Sequence, residues 1–281
     1  MTERDRLKVT FDTVADRYHE ARPSYPDELF DGLVEAARLG PGARLLEVGS
    51  GTGKATRPLA ARGFAITCLE PGPHLAAVAR QDLAGFPDVQ IVPQAFEDWQ
   101  PPDGKRFDLV FAATSWHWID PAVGYQLAWR WLRPGGHLAI WGAGHVLPAD
   151  GDPLFPAIQE VYDEVGEGVP AGTEFPAPGR LPTLRAAIEA SGLFSTSNTT
   201  EFIWALRYTA EEYIALLDTF SGHIAMAQWQ RDRLYGEIRR RLAARADGTL
   251  WRHWGAVLHV AQRLDAPLAS QPAVHQVPPR L

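Results

Sequence analysis

Cysteine is almost absent. Cys68 is the only one in 281 residues, so no intrachain disulfide can staple the fold. No His-Glu-x-x-His run and no cysteine pair occurs, and the remaining histidines, among them His137, His145, His223, His253 and His259, lack ligand spacing, so no metal is expected. The stretch Met1 to Thr10 holds two acids and three bases with no apolar core, which leads us to expect neither a secretory signal nor a membrane span, and a cytoplasmic protein. Positive charge is also short: 27 Lys and Arg against 34 Asp and Glu give −7, which argues against a broad nucleic-acid surface. The arginines at 231, 233, 239, 240, 241 and 245, with only Asp232 and Glu237 among them, read instead as a solvated helix face. No internal repeat is present. What remains is a chain long enough for one large or two small domains, 46% hydrophobic, with ten tryptophans, six of them between Trp99 and Trp141.

Short apolar runs alternate with helical stretches through the first half. Arg44–Val48, Phe64–Leu69, Val89–Val92, Phe107–Ala112 and His137–Trp141 read as buried parallel strands. Helices are expected over Lys54–Arg62, Pro73–Leu83 and Pro121–Leu132, the last with Val123, Leu127 and Trp131 on its core face. This alternation builds a doubly wound α/β sheet whose ligand lies beyond the carboxyl ends of the strands. Residues 145–182, rich in proline and glycine, read as a long connection that forms a lid, an insertion or a partner surface. Beyond it, Leu184–Ala190, Glu211–Phe220 and Gln228–Ala244 read as helices, and Thr200–Leu206 and Trp251–Val260 as strands.

The segment from Leu45 to Thr56, LLEVGSGTGKAT, places Gly49, Gly51 and Gly53 between a strand and a helix. Glycines there let the chain turn sharply and expose backbone amides to an oxygen-rich ligand. Glu70 ends the second strand, where a carboxylate can accept bonds from both hydroxyls of a ribose. A dinucleotide fingerprint would need glycine at Lys54, a phosphate-cradling loop needs one more residue before Gly53-Lys54, and an esterase elbow needs serine at Gly51.

Glu47, Gly49, Gly51 and Gly53 after the first strand, Glu70 after the second, and LRPGGHLAIW over Leu132–Trp141 resemble, in that order, the class I S-adenosylmethionine-dependent methyltransferases. FDTVADRYHEARPSYP near the N-terminus and ATSWHWIDP are most similar to the small-molecule group around trans-aconitate methyltransferase. The resemblance implies a Rossmann-like seven-stranded sheet, mostly parallel with its last strand antiparallel, and helical insertions over the site. It implies a helical lid over 1–40, a cofactor-binding core over 41–145, a substrate cap over 146–265 and a flexible tail over 266–281.

It also implies S-adenosyl-L-methionine as cofactor and S-adenosyl-L-homocysteine as product. Gly49, Ser50 and Gly51 would lie under the methionine and ribose portions, with Glu47 and Gly53 in the same motif. Glu70 would hold the ribose and Pro71 would flank the adenine. Phe96 and Glu97 are favoured against the adenine, although Gln94 and Asp98 are within an alignment slip. Trp99 reads equally as core. Tyr18 and Arg22 would close over the cofactor, Arg22 as a fork for its carboxylate, and Thr114 and Trp116 would line it from the fourth strand. His117 is the candidate base for a hydroxyl or amine acceptor, or else a neutral histidine bonded to backbone, and with Trp118 it would touch substrate. The acceptor is expected to be a small molecule methylated on O or N, with no nucleic acid or membrane partner, by a monomer or homodimer. The alternative is a catalytically inactive cofactor-binding regulatory or scaffold protein. RNA methylation is disfavoured by the net charge of −7, and Ala113–Trp116 (ATSW) lacks the Asn/Asp-Pro-Pro-Tyr/Phe signature of nucleic-acid amino methylation.

Overall fold

In a computed structural model that describes residue 12 and residues 15–168 and 175–267, the strands pair into one sheet whose central members, such as Leu45–Val48 and Leu109–Ala112, are buried on both faces. The elements in chain order are α1 (Ala15–Ala21), α2 (Asp27–Ala36), β1 (Arg44–Val48), α3 (Thr56–Ala61), β2 (Ala65–Leu69), α4 (Pro73–Asp82), β3 (Val89–Val92), β4 (Phe107–Ala113), α5 (Pro121–Trp131), β5 (Leu132–Trp141) and β6 (Ala143–Val146). Then come α6 (Leu154–Glu164), α7 (Arg185–Ala190), β7 (Phe194–Thr209), α8 (Ala210–Leu217), α9 (Ser221–Ala225), α10 (Gln228–Ala243) and β8 (Thr249–Arg263). The parts of the expected lid and tail at 1–11, 13–14 and 268–281 lie outside the described residues.

The strand order is β3-β2-β1-β4-β5-β8-β6, with β7 on the free side of β8. The first five strands are parallel, and β8 runs antiparallel to β5, β6 and β7. Eight strands stand where the sequence reading has seven, because β5 is interrupted at Gly142 and resumes as β6. His137–Ile140 pair with His259–Gln262, and Ala143–Val146 pair with the earlier half of the same strand, His253–Ala256.

Adjacent strand residues point to opposite faces. Leu46, Val110 and Leu138 pack under α5, while Leu45, Phe111 and Trp141 pack under α2 and α3. On α5 the buried positions are Gly124, Tyr125, Ala128 and Trp131. Val123 is 37% exposed, which corrects the expected stripe by one residue. Asp120 caps this helix by accepting the Ala122 N–H at 2.9 Å.

The connection at 145–182 is not all loop, since it contains α6, whose Leu154, Phe155, Ile158 and Val161 are buried. With α8 and α10 this helix covers one face of β7 and β8 around Tyr208, Leu250 and Trp254. A Thr209–Glu212 capping box starts α8. The arginines of α10 reach carboxylates on neighbouring helices: Arg233 pairs with Glu164, Arg239 with Glu211, and Arg241 with Glu160. That face ties the cap together, through acids the local sequence does not show. No described helix is long and apolar enough to cross a membrane.

Candidate active site

The topology reverses direction between β1 and β4, and the crevice at such a reversal is where open α/β sheets bind ligands. The glycine turn leaves β1 at this point. Gly49, Gly51 and Gly53 have φ of +68°, +56° and +87°, a region other residues enter only with strain. Two of the three also have no room for a side chain. A Cβ at Gly49 would stand 2.7 Å from the Ser115 Cβ, and one at Gly53 would stand 2.7 Å from a Leu83 methyl. At Gly51 a Cβ would meet nothing within 4 Å, so the backbone is bare toward open space.

Glu70 organises this turn. Its Oε2 accepts the Gly51 N–H at 2.8 Å and its Oε1 accepts the Gly72 N–H at 2.8 Å. The carboxylate is 6% exposed and is held in place by its own backbone neighbours. Ser50 Oγ and Thr52 Oγ1, on either side of Gly51, are buried and have no hydrogen-bond partner. A buried hydroxyl without a partner is uncommon, and two beside an open backbone position fit a polar ligand.

Glu47 belongs to the same motif but points elsewhere. It is 1% exposed, accepts the Thr56 hydroxyl at 2.5 Å and faces the Cys68 thiol at 3.7 Å. Burial pushes its carboxyl up to about 8, against bonds from Thr56 and Cys68 that pull it down. In the structure it joins β1, β2 and α3 beneath the turn.

At the end of β4, Thr114 holds a φ of +58°, which is strained for a β-branched residue. Its Oγ1 bonds the Tyr25 hydroxyl at 2.7 Å and accepts the Ala143 N–H at 3.2 Å. The Ser115 hydroxyl donates to the Val48 carbonyl, locking the ends of β1 and β4 together. The N-terminal segment closes over these ends. Asp12 accepts the backbone N–H of His74 at 2.9 Å and of Leu75 at 3.0 Å, next to Gly72. Arg22 donates from Nε to Thr219 Oγ1 at 2.8 Å and from Nη2 to the Thr219 carbonyl at 3.1 Å, with Cζ 3.9 Å from the Phe220 ring. Tyr18 lies 5.3 Å from the same guanidinium.

The structure separates the aromatic candidates: Trp99, read equally as core, and Trp116, expected to line the cofactor, both belong to the core, whereas Trp118, expected to touch substrate, stands apart from them. Trp99 and Trp116 are 6% and 7% exposed and share a core cluster with Trp131. Phe96, 2% exposed, packs at 6.3 Å from Trp116. In the turn after β4, His117 is exposed and Trp118 half-buried, their rings 4.7 Å apart. Pro71 is exposed and Glu97 half-buried at the rim.

One group escaped the sequence reading. Arg252 on β8 is 5% exposed, and its Cζ lies 4.5 Å from the Trp254 ring. The alternation Leu250, Arg252, Trp254 was the available signal, because it places the arginine on the apolar side of a strand. His145 lies across from Trp254 in the β6–β8 register. Its imidazole is pushed down to about 3 by burial, with the charges of Arg252 and His253 adding, so it is neutral.

Residues 46–140, about a third of the chain, match the family model described as a methyltransferase domain. An uncharacterized methyltransferase of Mycobacterium tuberculosis (strain ATCC 25618 / H37Rv) is 34% identical over 160 residues, 53% of this chain and 63% of the relative. The chain therefore spans less than two thirds of that relative's length. An uncharacterized methyltransferase-like protein of Schizosaccharomyces pombe is 26% identical over 241 residues, 85% of this chain and 87% of the relative. A solved structure from Anaeromyxobacter dehalogenans, provisionally described as a type II methyltransferase, is similar with a TM-score of 0.63 at 21% identity, covering 86% of this chain and 97% of that one. That likeness shows a shared fold.

Proposed function

We propose that this chain is an S-adenosylmethionine-dependent methyltransferase that moves a methyl group to an oxygen or nitrogen of a small molecule. The observation that carries the reading is Glu70, fixed by the Gly51 and Gly72 amides beside an open backbone turn at the sheet's switch point. The family match over 46–140 supports it. The partnerless Ser50 and Thr52 hydroxyls fit a ligand rich in polar atoms.

When bound, the cofactor supplies a methyl carbon activated by a sulfonium and leaves as neutral S-adenosyl-L-homocysteine. Much of the protein's task is then alignment in a site from which water is excluded. Glu70 holds the ribose hydroxyls, and Gly49, Ser50, Gly51 and Gly53 form the floor. Pro71, Phe96 and Glu97 border the adenine end. Arg22 offers Nη1, which its bonds to Thr219 do not use, to the cofactor carboxylate. Thr114 would border the cofactor at the end of β4, Trp116 would support that wall from the core, and Trp118 would offer an aromatic face to a sulfonium. His117 takes the proton from a hydroxyl or amine acceptor as the new bond forms. The residues of 15–40 act as lid and those of 146–265 as acceptor cap. We place the protein in the trans-aconitate methyltransferase-like group, as a cytoplasmic monomer or homodimer without nucleic-acid or membrane partners.

The test is incubation of the purified chain with methyl-labelled S-adenosylmethionine and a panel of small hydroxyl, amine and carboxylate acceptors, with label transfer read by mass spectrometry. Labelled product is expected. Cofactor binding without transfer to any acceptor would support an inactive binding protein instead.

A further inference from the structure

The cap encloses a positive charge that no carboxylate among the described residues balances. Half-buried arginines of the cap reach Glu or Asp, as Arg241 does with Glu237 at 2.7 Å and Arg245 with Asp152 at 2.7 Å. Arg252 makes no such pair among the described residues. Within the described residues its one hydrogen bond runs from Nη1 to the Tyr213 hydroxyl at 3.3 Å, and its Nε has no partner. Around it stand the rings of Trp254, Phe220, Tyr213 and Phe155, with centroids 4.5, 5.6, 5.8 and 5.9 Å from Cζ.

Aromatic faces offset part of the desolvation of a buried cation, but a buried charge ordinarily has an ionic partner. The nearby acids are committed elsewhere. Both oxygens of Asp152 accept from Arg245, and Asp218 accepts from Tyr235. Two further polar atoms on the same side of the sheet are buried without partners. Strand register pairs His145 and Trp204 each with Trp254, which places all three side chains on one face, two residues along from Arg252. His145 Nε2 and Trp204 Nε1 both lack a hydrogen bond.

This group adjoins the crevice described above. Trp204 lies 6.4 Å from the Tyr25 ring, and Tyr25 bonds Thr114 at the end of β4. Arg22, the proposed partner of the cofactor carboxylate, stacks on Phe220, which also faces Arg252. We propose that Arg252 anchors a carboxylate on the methyl acceptor, whose apolar body packs against Phe155, Tyr213, Phe220 and Trp254. A carboxylate is favoured over a phosphate ester because one guanidinium balances one negative charge, and the adjacent His145 is neutral. The anion site stands on the Arg252 geometry alone; only its assignment to the acceptor rests on the methyltransferase reading.

The test uses the full chain and three probes, phenylacetate, phenylacetamide and phenyl phosphate, by titration calorimetry with and without saturating S-adenosyl-L-homocysteine. Phenylacetate is expected to bind at least about tenfold more tightly than the neutral amide, the difference made by a charge-assisted pair. R252M removes this preference with the circular dichroism spectrum unchanged, and R252K keeps part of it. Equal binding of acid and amide by the native chain overturns the proposal, as does a preference that survives R252M. Tighter binding of phenyl phosphate than of phenylacetate overturns the carboxylate class. A preference for phenylacetate in a protein that binds no S-adenosyl-L-homocysteine keeps the anion site and rejects the methyltransferase reading.

Discussion

Glu70 Oε2 accepts the Gly51 N–H at 2.8 Å, fastening the residue after β2 to the turn after β1. The bond fixes both the carboxylate and the bare backbone beside it, so the polar and steric halves of the proposed cofactor site are set by one contact. Its second oxygen is fixed by Gly72 in the same way. A carboxylate positioned by backbone amides needs no rearrangement before it accepts ligand hydroxyls.

Gly49 and Gly51 are predicted to respond differently to the same substitution. G49A drives a Cβ to 2.7 Å from Ser115, and urea denaturation should show a loss of roughly 1–3 kcal/mol. G51A meets no protein atom within 4 Å, so the main penalty to folding is its positive φ, roughly 1 kcal/mol. Calorimetry should nonetheless show S-adenosyl-L-homocysteine binding weakened at least about tenfold in G51A, because the methyl group enters the ligand's space.

Glu47 makes stability depend on pH. Its folded pKa is raised to about 8 by burial, so the native state keeps a proton that the unfolded chain has already lost above the ordinary glutamate range. Stability from this residue is therefore full below about pH 4.3 and is lost as pH rises toward 8, at up to about 1.4 kcal/mol per unit. Urea midpoints between pH 5 and 8 should fall less steeply in E47Q than in the native chain. Equal slopes would show that the carboxyl is ionised in the fold.

His117 is exposed on the turn after β4, and the proposed reading gives it the acceptor's proton. With a hydroxyl or amine acceptor, H117A should lower kcat by about 10²–10⁴-fold and remove the acidic limb of the kcat–pH profile. The affinity for S-adenosyl-L-homocysteine should not change. A kcat within twofold of the native value would remove His117 from the chemistry.

The core strands and the glycine turn were legible because their signals are local. Arg44–Val48 and Val89–Val92 are short, mostly apolar segments rich in Leu, Val and Ile, and the run of glycines announces its own backbone. What the sequence hid depends on partners far along the chain. β6 is four residues containing a glycine, and it exists because β8 continues past β5 to pair with it. β7 begins in the polar stretch SerThrSerAsnThrThr, which no strand pattern marks, and is held by pairing with β8 along nearly its whole length. Trp99 and Trp116 follow strands on the ligand side, yet both turn inward to Trp131 and Phe96. The alternation Leu250, Arg252, Trp254 puts Arg252 on the apolar face of its strand, but what covers that face comes from helices elsewhere in the chain.

The most direct test of the cofactor site is calorimetric titration of the native chain and E70A with S-adenosyl-L-homocysteine. The native chain should bind one equivalent. E70A should bind at least about tenfold more weakly, since it loses both the hydroxyl acceptors and the amide contacts that shape the turn. Absence of binding by folded native protein, or equal affinity in E70A, would contradict the account.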